Sequence, residues 1–123
     1  ICYEISDGRS ISEAAIDGGE WILSISNLDP YPRALQKQFL ALAQLRSIES
    51  GRDLVSVSNT GPTSLIKSSG EVKYSLPPFV EDLGLVEVDL SNKITFYSLF
   101  RETPLILLLI INFLLLLNYK IKS

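Results

Sequence analysis

The feature that most limits this chain is the run Leu105–Leu117, thirteen residues in which Asn112 is the one polar member. A helix apolar on every side has no solvent face, so it lies inside a protein core or inside lipid. Alone the run is shorter than the roughly 20 residues a helix needs to cross a bilayer. Pro104, suited to a first helical position, and Tyr119 and Ile121 at the far end extend it to a membrane helix of about 104–121. Lys120 and Lys122 follow as anchors and put that end on the cytoplasmic side by the positive-inside rule. A buried helix of a soluble core is the alternative, but the density of Leu and Ile exceeds what such a core needs.

Charge divides the chain at nearly the same place. Residues 1–90 carry seven Lys and Arg against thirteen Asp and Glu, whereas residues 91–123 carry four against one. The basic end is therefore the apolar end, as suits a membrane. An acidic body without a basic stripe argues against a nucleic-acid partner. With 46% hydrophobic and 20% charged residues the body is expected to fold.

The chain opens Ile1-Cys2 and contains no Met, so it is expected to be part of a longer protein whose upstream residues matter. Its single Cys excludes an internal disulfide framework and a Cys-rich metal site, and no metal or cofactor is expected. With no His, neither Ser-His-Asp nor Cys-His chemistry can be completed within these residues. If Cys2 is a nucleophile, its base must be a carboxylate or an amine.

Ahead of the apolar run, strand and helix patterns alternate. Asp7 or Ser10 is placed to cap a helix through Ser12–Ile16 that Gly18 ends. Trp21–Ser26 is an apolar run of strand length. Arg33–Ser50 is the clearest helix, with Leu35, Phe39, Leu42, Leu45 and Ile48 at spacings of three and four and Gly51 as its stop. Arg46 and Glu49 lie three apart on its flank, as an ion pair or a hold on neighbouring backbone. Leu54–Ser58 reads as a buried strand. The segments 63–67 and 71–75 read as a hairpin around Ser68-Ser69-Gly70, and Leu85–Leu90 alternates like a half-exposed strand. This order predicts α/β layers.

Cys2, followed by Tyr3 and Glu4, leads the chemistry. A thiolate entering a turn toward a helix is a nucleophile position, and a backbone N–H just after it can hold an oxyanion. By residue type alone, lone cysteines are more often small buried hydrophobes. The context adds to this: Cys2-Tyr3-Glu4, the strand ending at Asn27, the Arg46–Arg52 helix end and Ser58-Asn59-Thr60-Gly61 fall in order and register. Together they resemble the carbon–nitrogen hydrolase (nitrilase) superfamily and, within it, the apolipoprotein N-acyltransferase family, in which a closing membrane helix follows.

That resemblance implies the latter part of a nitrilase-type α-β-β-α sandwich over residues 1–93, then a membrane-anchoring segment over residues 94–123. It implies Cys2 as the nucleophile that accepts an acyl chain from a phospholipid, Glu4 as a second acidic residue of the site, and the Tyr3 N–H as an oxyanion donor. The acceptor would be the N-terminal amine of a diacylglyceryl-cysteine lipoprotein. The general base, a Glu, and a catalytic Lys are expected upstream, so these residues alone would be inert. The site would face the periplasm of a bacterial plasma membrane.

The loop Ser26-Asn27-Leu28-Asp29-Pro30-Tyr31-Pro32 departs from the family pattern: the aspartate is displaced and the tryptophan is absent. Asn27, Asp29 and Tyr31 are candidate substrate-loop residues, Tyr31 as a replacement aromatic or an ordinary surface one. Asn59 and Thr60 are candidates for the rim of the site, with Asn59 placed to reach the Cys2 loop or simply to form a turn. A soluble amidase of the same superfamily, a non-enzymatic single-pass membrane protein and a decayed acyltransferase gene are the rival readings.

Overall fold

The computed structural model describes residues 2–122, with the side chains of Cys2, Tyr3 and Lys122 outside the description. A 3-10 turn, Cys2–Ser6, leads into α1, Gly8–Ile16. Asp7 caps α1: its carboxylate accepts from Arg9 N at 3.0 Å and from Ser10 Oγ at 2.5 Å. Both bonds favour the charged carboxylate and lower its pKa, with Ser10 the larger cause.

Strand β1, Ile22–Ser26, precedes α2, Arg33–Ser50, which returns the chain to β2, Leu54–Ser58, parallel to β1. Gly51 ends α2 at φ 64, a left-handed conformation in which a side chain would be strained. Strands β3, Thr63–Ile66, and β4, Val72–Leu76, form the expected hairpin and add antiparallel to β2, giving the sheet order β1-β2-β3-β4. The result is a mixed α/β unit with a four-stranded sheet.

One sheet face carries Ile22, Leu54 and Ile66 in register. Leu54 and Ile66 with Ile5 and Ala43 form the core, against which Ile22, Phe39, Leu40, Leu42 and Val72 pack. Further along the same face Ser24, Ser26 and Ser64 are buried, while the other face presents Leu23 and Ile25 to the exterior. Two of the three apolar side chains of β1, Leu23 and Ile25, thus point away from the helices. Along α2 the periodicity holds for Phe39 and Leu42 but fails further on: Leu45 and Ile48 are exposed, and Arg46, Ser47 and Ser50 are buried. Arg46 and Ser47 turn inward to donate to carbonyls outside the helix, and Ser50 Oγ donates back to the Arg46 carbonyl of its own helix.

Residues 85–90 form no strand. Their backbone is held instead by side chains and single carbonyls: Asp89 N donates to Asp53 Oδ2 at 2.9 Å and Ser91 N to Glu20 O at 3.1 Å. The segment forms a strap beside Leu65 and Tyr74, with which it lines an open groove of about 480 Å³. It ends at α3, Phe96–Phe100, which packs on α1 and α2. Arg101, at φ 49 and ψ −127, breaks the chain before α4, Thr103–Lys122. Within α4, Thr103–Ile121 is long and apolar enough to cross a membrane, and none of it is buried in the protein.

Candidate active site

Two loops meet where the parallel strands β1 and β2 end, at the register pair Ser26 and Ser58. Asn59 joins them. Its Oδ1 accepts from Leu28 N and from Thr60 N, both at 3.0 Å, and its Nδ2 donates to Asn27 Oδ1 at 2.8 Å. Asn27 Oδ1 also accepts from Asp29 N at 3.2 Å. Gln36, buried at the start of α2, donates to the carbonyls of Leu28 and Tyr31 at 3.1 and 3.0 Å and fastens the loop from beneath. The contact is close: a Cβ on Gly61 would stand 2.5 Å from Leu28 Cδ1.

Asn27, Asp29, Asn59 and Thr60 are thus brought together. The described bonds of Asn59 run to residues 27 and 28, and to its neighbour Thr60, so it ties the two loops as well as shaping a turn. Tyr31 lies half-buried with its ring 5.9 Å from that of Phe39. Among the described residues, the buried Ser58 Oγ and Thr60 Oγ1 have no hydrogen-bond partner, which leaves two hydroxyls at this junction for another group. A larger groove of about 820 Å³ adjoins the loops, between the start of α2, Pro62 and the segment Pro78–Val80. The Arg33 guanidinium stands 5.3 Å from the centre of the Phe79 ring in it.

The backbone of Cys2, Tyr3 and Glu4 forms the 3-10 turn, and Glu4 is exposed on it. The thiol of Cys2 and the side chain of Tyr3 lie outside the described residues. The turn is anchored by Arg46, which is 8% exposed: Nε donates to Ile5 O at 2.9 Å and Nη2 to Ser6 O at 3.3 Å, while Nη1 pairs with Glu49. The flank ion pair and the hold on neighbouring backbone are therefore both present. Glu49 O in turn accepts from Thr95 Oγ1 and from Ser98 Oγ, so this end of α2 also carries α3.

Arg52 and Asp53 form a second buried polar knot. Arg52, 1% exposed, donates to the carbonyls of Gly19, Ala15 and Lys93 at 2.6, 3.1 and 2.6 Å. Burial disfavours its charged form and lowers its pKa, against the opposing pull of Glu20. Burial likewise pushes the Asp53 carboxyl up, but Lys67 and the N–H groups of Asp89 and Ser68 outweigh it and leave the pKa low. Lys67, bonded to Asp53 and Asp89, is raised. These residues hold the strap, a role that residue type alone does not reveal.

Comparison with known proteins gives one consistent result. No protein-family model matches the chain. It is 59% identical over 111 residues to the apolipoprotein N-acyltransferase of one Prochlorococcus marinus strain (SARG), across 90% of this chain and 22% of that protein. The protein of the same name from a second strain of Prochlorococcus marinus (MIT 9313) is 52% identical over 86% of this chain. That from Wigglesworthia glossinidia brevipalpis is 36% identical over 99% of it. The chain spans about a quarter or less of the length of each.

Proposed function

We propose, for a chain that is a homologue of the apolipoprotein N-acyltransferases over most of its length, that it is the C-terminal part of a membrane-bound lipoprotein N-acyltransferase working through a cysteine thioester. The observation that carries this is the 59% identity to a protein of that name, extending over 90% of the chain. The exposed apolar face of the sheet supports a nitrilase-type sandwich, because Leu23 and Ile25 need a second layer over them. In this reading residues 1–93 complete that domain and residues 94–123 anchor it, with the site on the periplasmic side.

The thiolate of Cys2 attacks the ester carbonyl of a phospholipid. The C–S bond forms, the bond between the acyl carbon and the glycerol oxygen breaks, and the departing oxygen takes a proton to leave a lysophospholipid. The α-amine of a diacylglyceryl-cysteine then attacks the thioester. The amide C–N bond forms, the C–S bond breaks, and the amine proton passes to the base. That base, a Glu, and a Lys that steadies the developing charge belong to the rest of the protein. The Tyr3 N–H faces the oxyanion, Glu4 orients the catalytic groups, and the Asn27–Tyr31 and Asn59–Thr60 loops border the substrate.

The test incubates the full-length protein, wild type and Cys2→Ala, with labelled phospholipid and seeks a hydroxylamine-sensitive acyl adduct by intact-protein mass spectrometry. An adduct on the wild type that is absent from Cys2→Ala is expected. A folded wild-type protein without an adduct would overturn the acyltransferase reading in favour of an amidase or a non-enzymatic ectodomain.

A further inference from the structure

We infer that α3, with the residues either side of it, is a lipid-contacting surface that rests the folded body on the bilayer α4 enters. The helix has two unlike sides. Ser98 is 1% exposed against the body, and with Thr95 it bonds to the carbonyl of Glu49. Thr95 also accepts from Ser98 N at 3.0 Å and caps the turn. On the other side Phe96, Leu99 and Phe100 are 68, 62 and 47% exposed, at the i, i+3, i+4 spacing of one helical face. Ile94, 43% exposed, precedes them, and the rings of Phe96 and Phe100 lie 4.6 Å apart.

A single exposed apolar side chain is ordinary, but four within seven residues on a docked helix make a patch that asks for a cover. Its neighbour indicates which. Three residues beyond α3 begins α4, whose apolar surface is exposed throughout and is suited to lipid. Between the two, Arg101 pairs with Glu13 at 3.0 Å and Tyr97 Oη donates to Glu102 at 2.8 Å. A band of charged and phenolic groups thus stands at the entry to an apolar span, with aromatic side chains beside it. This is the arrangement that head groups and the upper acyl chains accommodate.

The occupant is therefore the phospholipid surface itself. Because α3 packs on α1 and on the end of α2 that holds the 3-10 turn, this contact also orients the body over the membrane. The inference rests on α4 spanning the bilayer and is independent of the acyl-transfer chemistry.

Photo-crosslinking in the full-length protein tests it. A benzophenone amino acid replaces Phe96, Leu99, Ile110 or Lys73, one at a time, in nanodiscs of phosphatidylethanolamine and phosphatidylglycerol, and lipid adducts are read by mass spectrometry. Positions 96 and 99 are expected to give about fivefold more lipid adduct than position 73, approaching the yield at position 110 in α4. Lipid adducts at 110 with only peptide cross-links, or none, at 96 and 99 would overturn the surface while leaving the anchor intact. No lipid adduct at 110 would overturn it at its premise. Neither result depends on a thioester forming at Cys2.

Discussion

Arg46 uses one guanidinium to hold two carbonyls of the turn that begins at Cys2 and the carboxylate of Glu49. A lysine there keeps the charge but lacks the planar fork that reaches all three groups. On the proposed thioester chemistry, Arg46→Lys in the full-length protein is expected to slow acylation of Cys2 by about tenfold, as the loss of one charge-assisted hydrogen bond implies. The check is the single-turnover rate of thioester formation beside the rate of Cys2 alkylation across pH. A rate loss with an unchanged alkylation profile marks misplacement of the thiol rather than a change in its acidity. Gly61→Ala drives a Cβ against Leu28 and is expected to cost about 1–3 kcal/mol, read as a lowered denaturant midpoint. The pairing of Arg46 with Glu49 was legible from their spacing. The partners Ile5 and Ser6, about 40 residues away, were not, because nothing local in a sequence records which distant carbonyl lacks a donor.

Among the elements, α1, α2, the two parallel strands and the hairpin follow from periodicity and caps, and α2 begins and ends at the residues its pattern indicates. The misread element is the segment 85–90. Its alternation imitates a strand, but no neighbouring strand offers it a ladder, and the Asp53 carboxylate takes its place. Helix α3 was hidden because its short apolar pattern merges with the run that follows. Asp53→Ala is expected to free the strap and leave Lys67 without its buried partner, costing about 3 kcal/mol. Amide hydrogen exchange should show the loss concentrated at Ser68 and Asp89. The strap should also respond to pH. The Asp53 pKa is lowered from 3.8 in the folded state, so its contribution is present above that value and is lost as pH falls below it. The Lys67 pKa is raised from 10.5, so its contribution is present below that value and is lost as pH rises beyond it. Between these limits, exchange at Asp89 corrected for its intrinsic rate should be nearly constant, and it should accelerate on the acid side.

At the scale of the molecule, the sheet packs Ile22, Leu54 and Ile66 on the helices beside a patch of serines, yet leaves Leu23 and Ile25 exposed on its other face. Ile25→Asp distinguishes the two possibilities for that face. Under a second sheet layer it buries a charge and is expected to destabilise the full-length protein by about 3 kcal/mol or more, whereas on a wetted face it is nearly neutral. Thermal unfolding in detergent makes the comparison. The break at Arg101 has a mechanical consequence. A backbone at φ 49 in a residue other than glycine is held at a cost of about 1–3 kcal/mol, so it persists only where the surroundings require it. Here it uncouples two rods. In the proposed reading α4 spans the bilayer; as bilayer thickness varies, a spanning helix leans to match it, and a continuous helix from α3 through α4 would lever the whole body with each lean. The break at Arg101 sets α4 off from α3, and the ion pair of Arg101 with Glu13 ties that junction to α1. On that reading a lean of α4 is met at one residue and need not be passed on to α3 and the helices beneath it.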